Sequence, residues 1–296
     1  MSRVGDTPPS GADGGVGRSV GETARDFLHA VVGGLLIGLP LLWTQELWDQ
    51  GAALAPQTVL LLFLLGFAIM LGFNALGGFR MERTWAELLL DATEGMGLSI
   101  VIAAVALLVL GRLGPDVGLD TIVSRIALQS VPIAFGTALA ATILGEREEG
   151  DEPEVVGPLG RLVVAAGGAV FFALNFATTE EVRLLGSSAD AGHLLLAIVG
   201  SLSIGLAVEG AEMLHGGGRA RQRHGPLDGA LGYTAVAYAV ALLVSIVMLW
   251  AFGVTDGLGP RALIGHVVLL GIVASFGAAT ARLLVGGGPV VKDGGA

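Results

Sequence analysis

The stretch Gly167-Gly168-Ala169-Val170-Phe171-Phe172-Ala173-Leu174-Asn175-Phe176-Ala177-Thr178-Thr179-Glu180-Glu181-Val182 decides the fold. It opens on a glycine pair, stays apolar for a helix length, and closes on amides, hydroxyls and carboxylates. The order has an earlier copy. Gly33, Gly34, Thr44 and Glu46 precede Gly167, Gly168, Thr178 and Glu180 by a constant 134 positions. An apolar run that recurs with its polar end intact predicts a duplicated set of membrane-crossing helices.

Composition points the same way. Hydrophobic residues make up 53% of the 296 and charged residues 14%, against about 25% charged in soluble domains. The mean hydropathy is +0.76. The apolar residues fall in blocks of about 20, the length that crosses a hydrocarbon core of about 30 Å. With no cysteine, disulfides, thiol catalysis and thiolate metal sites are excluded. The net charge of −10 argues against nucleic acid as a partner.

Outward from the opening stretch, eight spans are expected at 27–48, 57–79, 88–112, 122–144, 161–182, 191–214, 229–253 and 262–285. The fold class is therefore an all-α membrane protein of eight transmembrane helices, arranged as two parallel four-helix repeats. Residues 1–24 read as a disordered tail, 25–145 as the first repeat, 146–160 as an acidic linker, 161–286 as the second repeat and 287–296 as a C-terminal tail. Twelve of the 16 basic residues, including Arg161, Arg282 and Lys292, fall on one side of this arrangement and four (Arg112, Arg125, Arg183, Arg261) on the other. The positive-inside rule then places both termini in the cytoplasm, and the expected location is a prokaryotic inner membrane.

Further matches extend the repeat. Span two aligns with span six through Gly66/Gly200, and span four with span eight through Phe135-Gly136 and Phe276-Gly277, at an offset of 141. An even number of spans per half gives the halves one orientation, related by an axis along the membrane normal, and transporters of this build place their pathway between the halves.

Ionisable and polar residues at membrane depth are costly and mark candidate sites. Four groups stand out. At the outer ends of spans one and five, Thr44, Thr178 and Asn175 share a side with the glycine pairs, while Glu46 and Glu180 point roughly 160° away on a regular helix. Thr and Glu cannot line one face there without a local unwinding. Glu46 and Glu180 are read as a paired carboxylate mouth or ion site; hydrated helix ends explain them equally simply.

On the inner side, Glu87, Asp91 and Glu94 lie along one face of span three, and Asp91 has a repeat-related candidate in Asp228. Glu209, Glu212 and His215 lie along one face of span six. Glu-x-x-His is a metal-ligand spacing on a helix, and the same groups suit a proton relay; pairing with Arg80, Arg83, Arg219, Arg221 and Arg223 is the plain alternative. Span four carries Gln129, Ser130, Pro132 and Thr137, where a proline-freed carbonyl invites polar company. His193 and His266, near the outer ends of spans six and eight, suit a metal or pH gate, or simple hydration. No phosphate-binding glycine loop, HExxH motif or intramembrane lysine is present.

The eight-span layout, Asn175-Phe176-Ala177-Thr178-Thr179-Glu180-Glu181, Asp91-Ala92-Thr93-Glu94-Gly95 and Gln129-Ser130-Val131-Pro132 together resemble a family of uncharacterised prokaryotic integral membrane proteins, over about residues 25–285. The resemblance implies no activity and carries no functional residue with it. The residues themselves point to a transport protein, a cation channel or cation- or proton-coupled carrier, and not an enzyme. Glu46, Glu180, Thr44, Thr178, Asn175, Asp91, Glu94 and Gln129 are its expected pathway residues, and Glu209, Glu212 and His215 its weak metal candidates. No cofactor is expected beyond a bound cation. The expected partners are the lipid bilayer, an inorganic cation or proton, and a second copy in a homo-oligomer. A non-transporting scaffold or sensor is the other reading, in which the polar groups only join helices.

Overall fold

A computed structural model describes residues 28, 31–32, 44–76, 84–144, 158–215 and 229–286. Among the described residues nine continuous helices occur: α1 (Gln45–Ala53), α2 (Pro56–Leu76), α3 (Trp85–Val109), α4 (Leu119–Leu144), α5 (Pro158–Phe176), α6 (Glu180–Ser188), α7 (Ala191–His215), α8 (Ala230–Ala251) and α9 (Pro260–Gly286). No strand occurs among the described residues. All but α1 and α6 are long and apolar enough to cross a membrane, with apolar portions of 18 to 25 residues. At 1.5 Å per residue these span about 27–38 Å, as a bilayer core requires. The protein is all-helical with seven candidate spans among the described residues. The expected first span lies outside the described residues except for helical Leu28, Val31 and Val32 and its last five residues. Both tails, Asp228 and the linker before Pro158 lie outside them as well.

Local chemistry sets several boundaries. Pro56, Pro158 and Pro260 each open a span, where the missing N–H costs nothing and the fixed φ suits a helix. Pro158 thereby brings three residues of the expected linker into α5. Span three is capped by a reciprocal pair: the Glu87 N–H donates to Thr84 Oγ1 at 3.4 Å and the Thr84 N–H to Glu87 Oε2 at 3.0 Å. Glu87 thus serves as the N3 partner of a capping box.

The opening stretch is corrected. Spans one and five do not run on to Trp48 and Val182. The α5 helix stops at Phe176, the backbone is extended at Thr179 (φ −70°, ψ 148°), and a new nine-residue helix starts at Glu180. At the matching point of the earlier copy Thr44 is extended (φ −80°, ψ 103°) and α1 starts at Gln45. The conflict between the Thr and Glu faces is resolved by breaking the helix. Each new helix opens with acid (Glu46; Glu180 and Glu181), which suits the positive end of its dipole. At about 14 Å neither can cross a bilayer.

The two halves are packed alike. Within the first, α1, α2 and α3 pack on α4; within the second, α6, α7 and α8 pack on α9. Gly51 of α1 lies against Arg125, the seventh residue of α4, and Gly186 of α6 against His266, the seventh residue of α9. Spans three and seven end in matching caps: Gly111 (φ 68°) and Gly253 (φ 67°), 142 positions apart, each take the left-handed turn. The N–H groups that follow, of Arg112 and Val254, return to Leu107 and Leu249 at 2.8 and 2.9 Å, closing both helices in one way. The 142-position frame sets Asp91 opposite Tyr233 rather than Asp228. Val31, in the expected first span, packs on Ile102 and Ala103 of α3 and Ile133 of α4, much as α5 packs on α8 and α9.

The interior belongs to α4 and α5, whose apolar portions are 72% and 67% buried, whereas α7 is 6% buried and rides on the rim. The α5 and α9 helices cross where Gly168 meets Gly277: a Cβ on either would overlap the other's carbonyl oxygen. Small residues permit this approach. Between the halves runs an aromatic ladder, with Phe73 edge-on to Phe135 at 5.5 Å and Phe135 stacked on Phe171 at 4.8 Å. The cavity left there is ≈ 10 Å³ and apolar, lined by residues such as Ile69, Val131 and Val170.

Candidate functional site

Charge is buried at one end of the second half. Three helices each turn a stripe toward a shared point: Ser201, Gly205, Val208 and Glu209 on α7, Tyr233, Thr234, Ala237 and Tyr238 on α8, and Ser275, Ala278, Ala279 and Arg282 on α9. The i, i+3/i+4, i+7 spacing puts each set on a single face. Gly205 admits the Thr234 methyl, which an added Cβ would meet at 2.9 Å. The stripes enclose a cavity of ≈ 30 Å³.

At its outer rim, Arg282 Nη2 pairs with Glu209 Oε1 at 3.0 Å, and the two side chains are only 7% and 6% exposed. The Arg282 guanidinium lies 4.2 Å from the centre of the Tyr233 ring and that of Arg161 lies 5.2 Å from it. The Tyr233 hydroxyl donates to the Arg161 carbonyl at 3.0 Å. Two guanidiniums, one carboxylate and a phenol therefore join α5, α7, α8 and α9. All four residues sit at the ends of candidate spans. Ser201 lies eight residues before Glu209 on α7, about 12 Å away, and Ser275 seven residues before Arg282 on α9. The cavity thus leads from the ion pair toward the middle of the candidate spans. Desolvating such a pair is expensive, and removing one partner leaves a charge buried.

The expected outer residues are placed differently. Glu46 is half-buried and Glu180 exposed, each in the first turn of its short helix. Each short helix packs on the fourth span of its own half, and α1 and α6 are not a packed pair. Thr44 is half-buried at the N-cap of α1. Asn175 is buried and its side-chain N–H donates to the Phe171 carbonyl at 2.7 Å. Thr178 and Gln129 are also buried. Asn175 Oδ1, Thr178 Oγ1 and both amide atoms of Gln129 find no hydrogen-bond partner among the described residues. Asp91 is half-buried and Glu94 exposed. Glu212 and His215 belong to α7, with side chains outside the described set. No group of three acidic or histidine side chains that could hold a metal occurs among the described residues.

The histidines take structural parts. His266 is 2% exposed, its Nδ1 2.7 Å from the Ala262 carbonyl. The carbonyl can only accept, so the proton is on Nδ1. Asp190 caps the helix that carries His193: the His193 N–H donates to Asp190 Oδ1 at 2.9 Å and the His193 ring lies 3.0 Å from the same oxygen. The backbone and ring bonds from His193 hold the Asp190 carboxyl below its ordinary range.

Sequence reasoning found Glu209 but not its partner. Arg161 and Arg282 were counted as topology signals, and Tyr233 was not considered. The available clue was an arginine inside the last apolar run with Ser275, Ala278 and Ala279 on its own helical face.

No curated protein and no solved structure matches this chain. A family model described as "Putative integral membrane protein (DUF2391)" matches residues 26–285, from the expected first span to the end of α9 and across every residue of the buried cluster. With nearly all of its helical region matched, the chain belongs to this family of integral membrane proteins.

Proposed function

We propose that the protein is a proton-coupled membrane transporter built from two parallel four-span repeats with cytoplasmic termini, in which Glu209 carries the proton and Arg282 is its internal counter-ion. The observation that carries this reading is the buried Glu209–Arg282 pair opening on a hydroxyl-lined cavity. Intramembrane ionisable residues concentrate on ion and proton pathways. A proton suits the site better than a metal cation, because the carboxylate already faces a permanent positive charge at 3.0 Å. Protonating Glu209 neutralises its carboxylate and releases the still-charged Arg282 from the pair, a two-state element of the kind that coupling needs. The matched caps and packing of the halves support the repeat. Glu46 and Glu180 are left as carboxylates at the opposite end.

A scaffold without transport is favoured by a different observation: the boundary between the halves is filled by Phe73, Phe135 and Phe171. Proteoliposomes carrying a trapped pH dye separate the two. Under an imposed diffusion potential the wild type should move protons, and Glu209→Gln should not. The charge swap Glu209→Arg/Arg282→Glu keeps an ion pair and should restore folding without flux. Proton movement no faster than in protein-free vesicles, across gradients of the common monovalent cations, leaves the scaffold.

A further inference from the structure

We infer that the cavity between α7, α8 and α9 is a water-binding site, whose waters join the hydroxyls of Ser201, Thr234 and Tyr238 to the Glu209–Arg282 pair. These three side chains are 5%, 6% and 8% exposed. They come from two helices and line one cavity. Thr234 Oγ1 makes no hydrogen bond among the described residues, and the Ser201 and Tyr238 hydroxyls, which lie near enough to interact with each other, make none of good geometry. A buried hydroxyl short of hydrogen bonds is costly, and three lining one partly open cavity share one remedy. The cavity measures ≈ 30 Å³; a water needs about 10–15 Å³ and two to four polar partners. Two waters fit, and three hydroxyls with a carboxylate and a guanidinium at the rim supply their bonds.

Other intramembrane hydroxyls show why these three differ. Ser203, Ser245 and Ser275 donate to carbonyls on their own helices at 2.7 to 2.8 Å, the usual resort of a helical serine. Ser201 sits two residues from Ser203 and Thr234 eleven residues from Ser245, and both leave that bond unmade. Their hydroxyls are available to something inside the cavity. An apolar ligand would leave all three orphaned, and a metal cation would share the space with Arg282. Water satisfies donors and acceptors alike.

The site rests on packing and hydrogen-bonding geometry, so it stands whether or not Glu209 moves protons. The test is the sign of a thermal shift in the purified full-length protein. Ser201→Ala, Thr234→Val and Tyr238→Phe remove one hydroxyl each with little change of shape. In a hydrated cavity each variant takes a bond from a held water, and the apparent Tm falls by about 2–4 °C. The Ser201→Ala/Thr234→Val double variant then loses less than the sum, because the hydroxyls serve one water network. In a dry cavity the same variants relieve an orphaned group and Tm rises. A rise, or no change in all three, overturns the inference. Loss of proton flux in wild-type vesicles with the falling Tm pattern intact would count against the transport reading alone.

Discussion

Adding one methyl group at Gly168 should cost more than the same change at any lipid-facing glycine of the chain. A Cβ on Gly168 would overlap the Gly277 carbonyl and approach the Ala281 methyl to 2.7 Å. The carbonyl belongs to a helix backbone and cannot rotate away, so relief requires α5 and α9 to separate. Overpacking of this kind costs about 1–3 kcal/mol, the upper end where backbone is struck. Against it stands the helix preference for Ala over Gly, about 1 kcal/mol, leaving Gly168→Ala destabilised by about 2 kcal/mol. Gly200 is the control. It is interior to α7, and a Cβ there meets nothing within 4 Å, so Gly200→Ala keeps the helix gain. The gap of about 3 kcal/mol corresponds to about 6–12 °C in Tm at 2–4 °C per kcal/mol. Gel-filtration monitoring of heated, detergent-solubilised protein reads it directly. Equal shifts, or a stabilised Gly168→Ala, would refute the backbone crossing. Gly277→Ala should repeat the loss, and the double variant should add little, since the helices separate once.

Three further outcomes follow from the same geometry. Arg282→Leu should lower stability by about 3–5 kcal/mol and the charge swap with Glu209 should recover part of it, measured by the same heating assay; no recovery would mean the pair is incidental. Tyr233→Phe removes the hydroxyl that reaches the Arg161 carbonyl at 3.0 Å but keeps the ring between the guanidiniums, so the loss should stay near 0.5–1.5 kcal/mol, and a larger one would show that the hydroxyl does more. Gly111→Ala and Gly253→Ala should each cost about 1–2 kcal/mol, because both hold a left-handed φ that Cβ disfavours; a variant at either position that leaves Tm unchanged would contradict its cap.

Spans two to eight were legible because hydropathy over about 20 residues reports a one-dimensional fact, the distance across a bilayer. The break at Thr179 was legible only as a contradiction. Thr178 and Glu180 could not share a face, yet nothing in the residues said whether the helix would stop or the carboxylate would turn to solvent. It stopped, since Val182 and Gly186 bury themselves on α9 only if α6 leaves the line of α5. The pairing of Glu209 with Arg282 was out of reach for another reason. They are 73 positions apart on helices whose relative rotation depends on Gly205, Gly271 and the Gly168–Gly277 crossing, and such rotations are tertiary facts. Counting Arg282 toward topology used its charge while ignoring its place inside an apolar run. Glu46 and Glu180 drew attention through repetition. What the structure repeats at that point is a helix start, and a first-turn carboxylate is what a helix start favours.

Tyr233 and Tyr238 have one more property. The chain contains two tyrosines, and both line the cavity beside the ion pair. The molecule therefore carries a built-in, site-confined label: isotope-enriched tyrosine would introduce two resonances, both from this cavity, with no background from the other 294 residues. One phenol bonded to a carbonyl between two cations and one set deeper among hydroxyls are chemically distinct reporters. A change in the charge of Glu209 or in the hydration of the cavity would be visible in an otherwise native chain, without a reporter group being introduced.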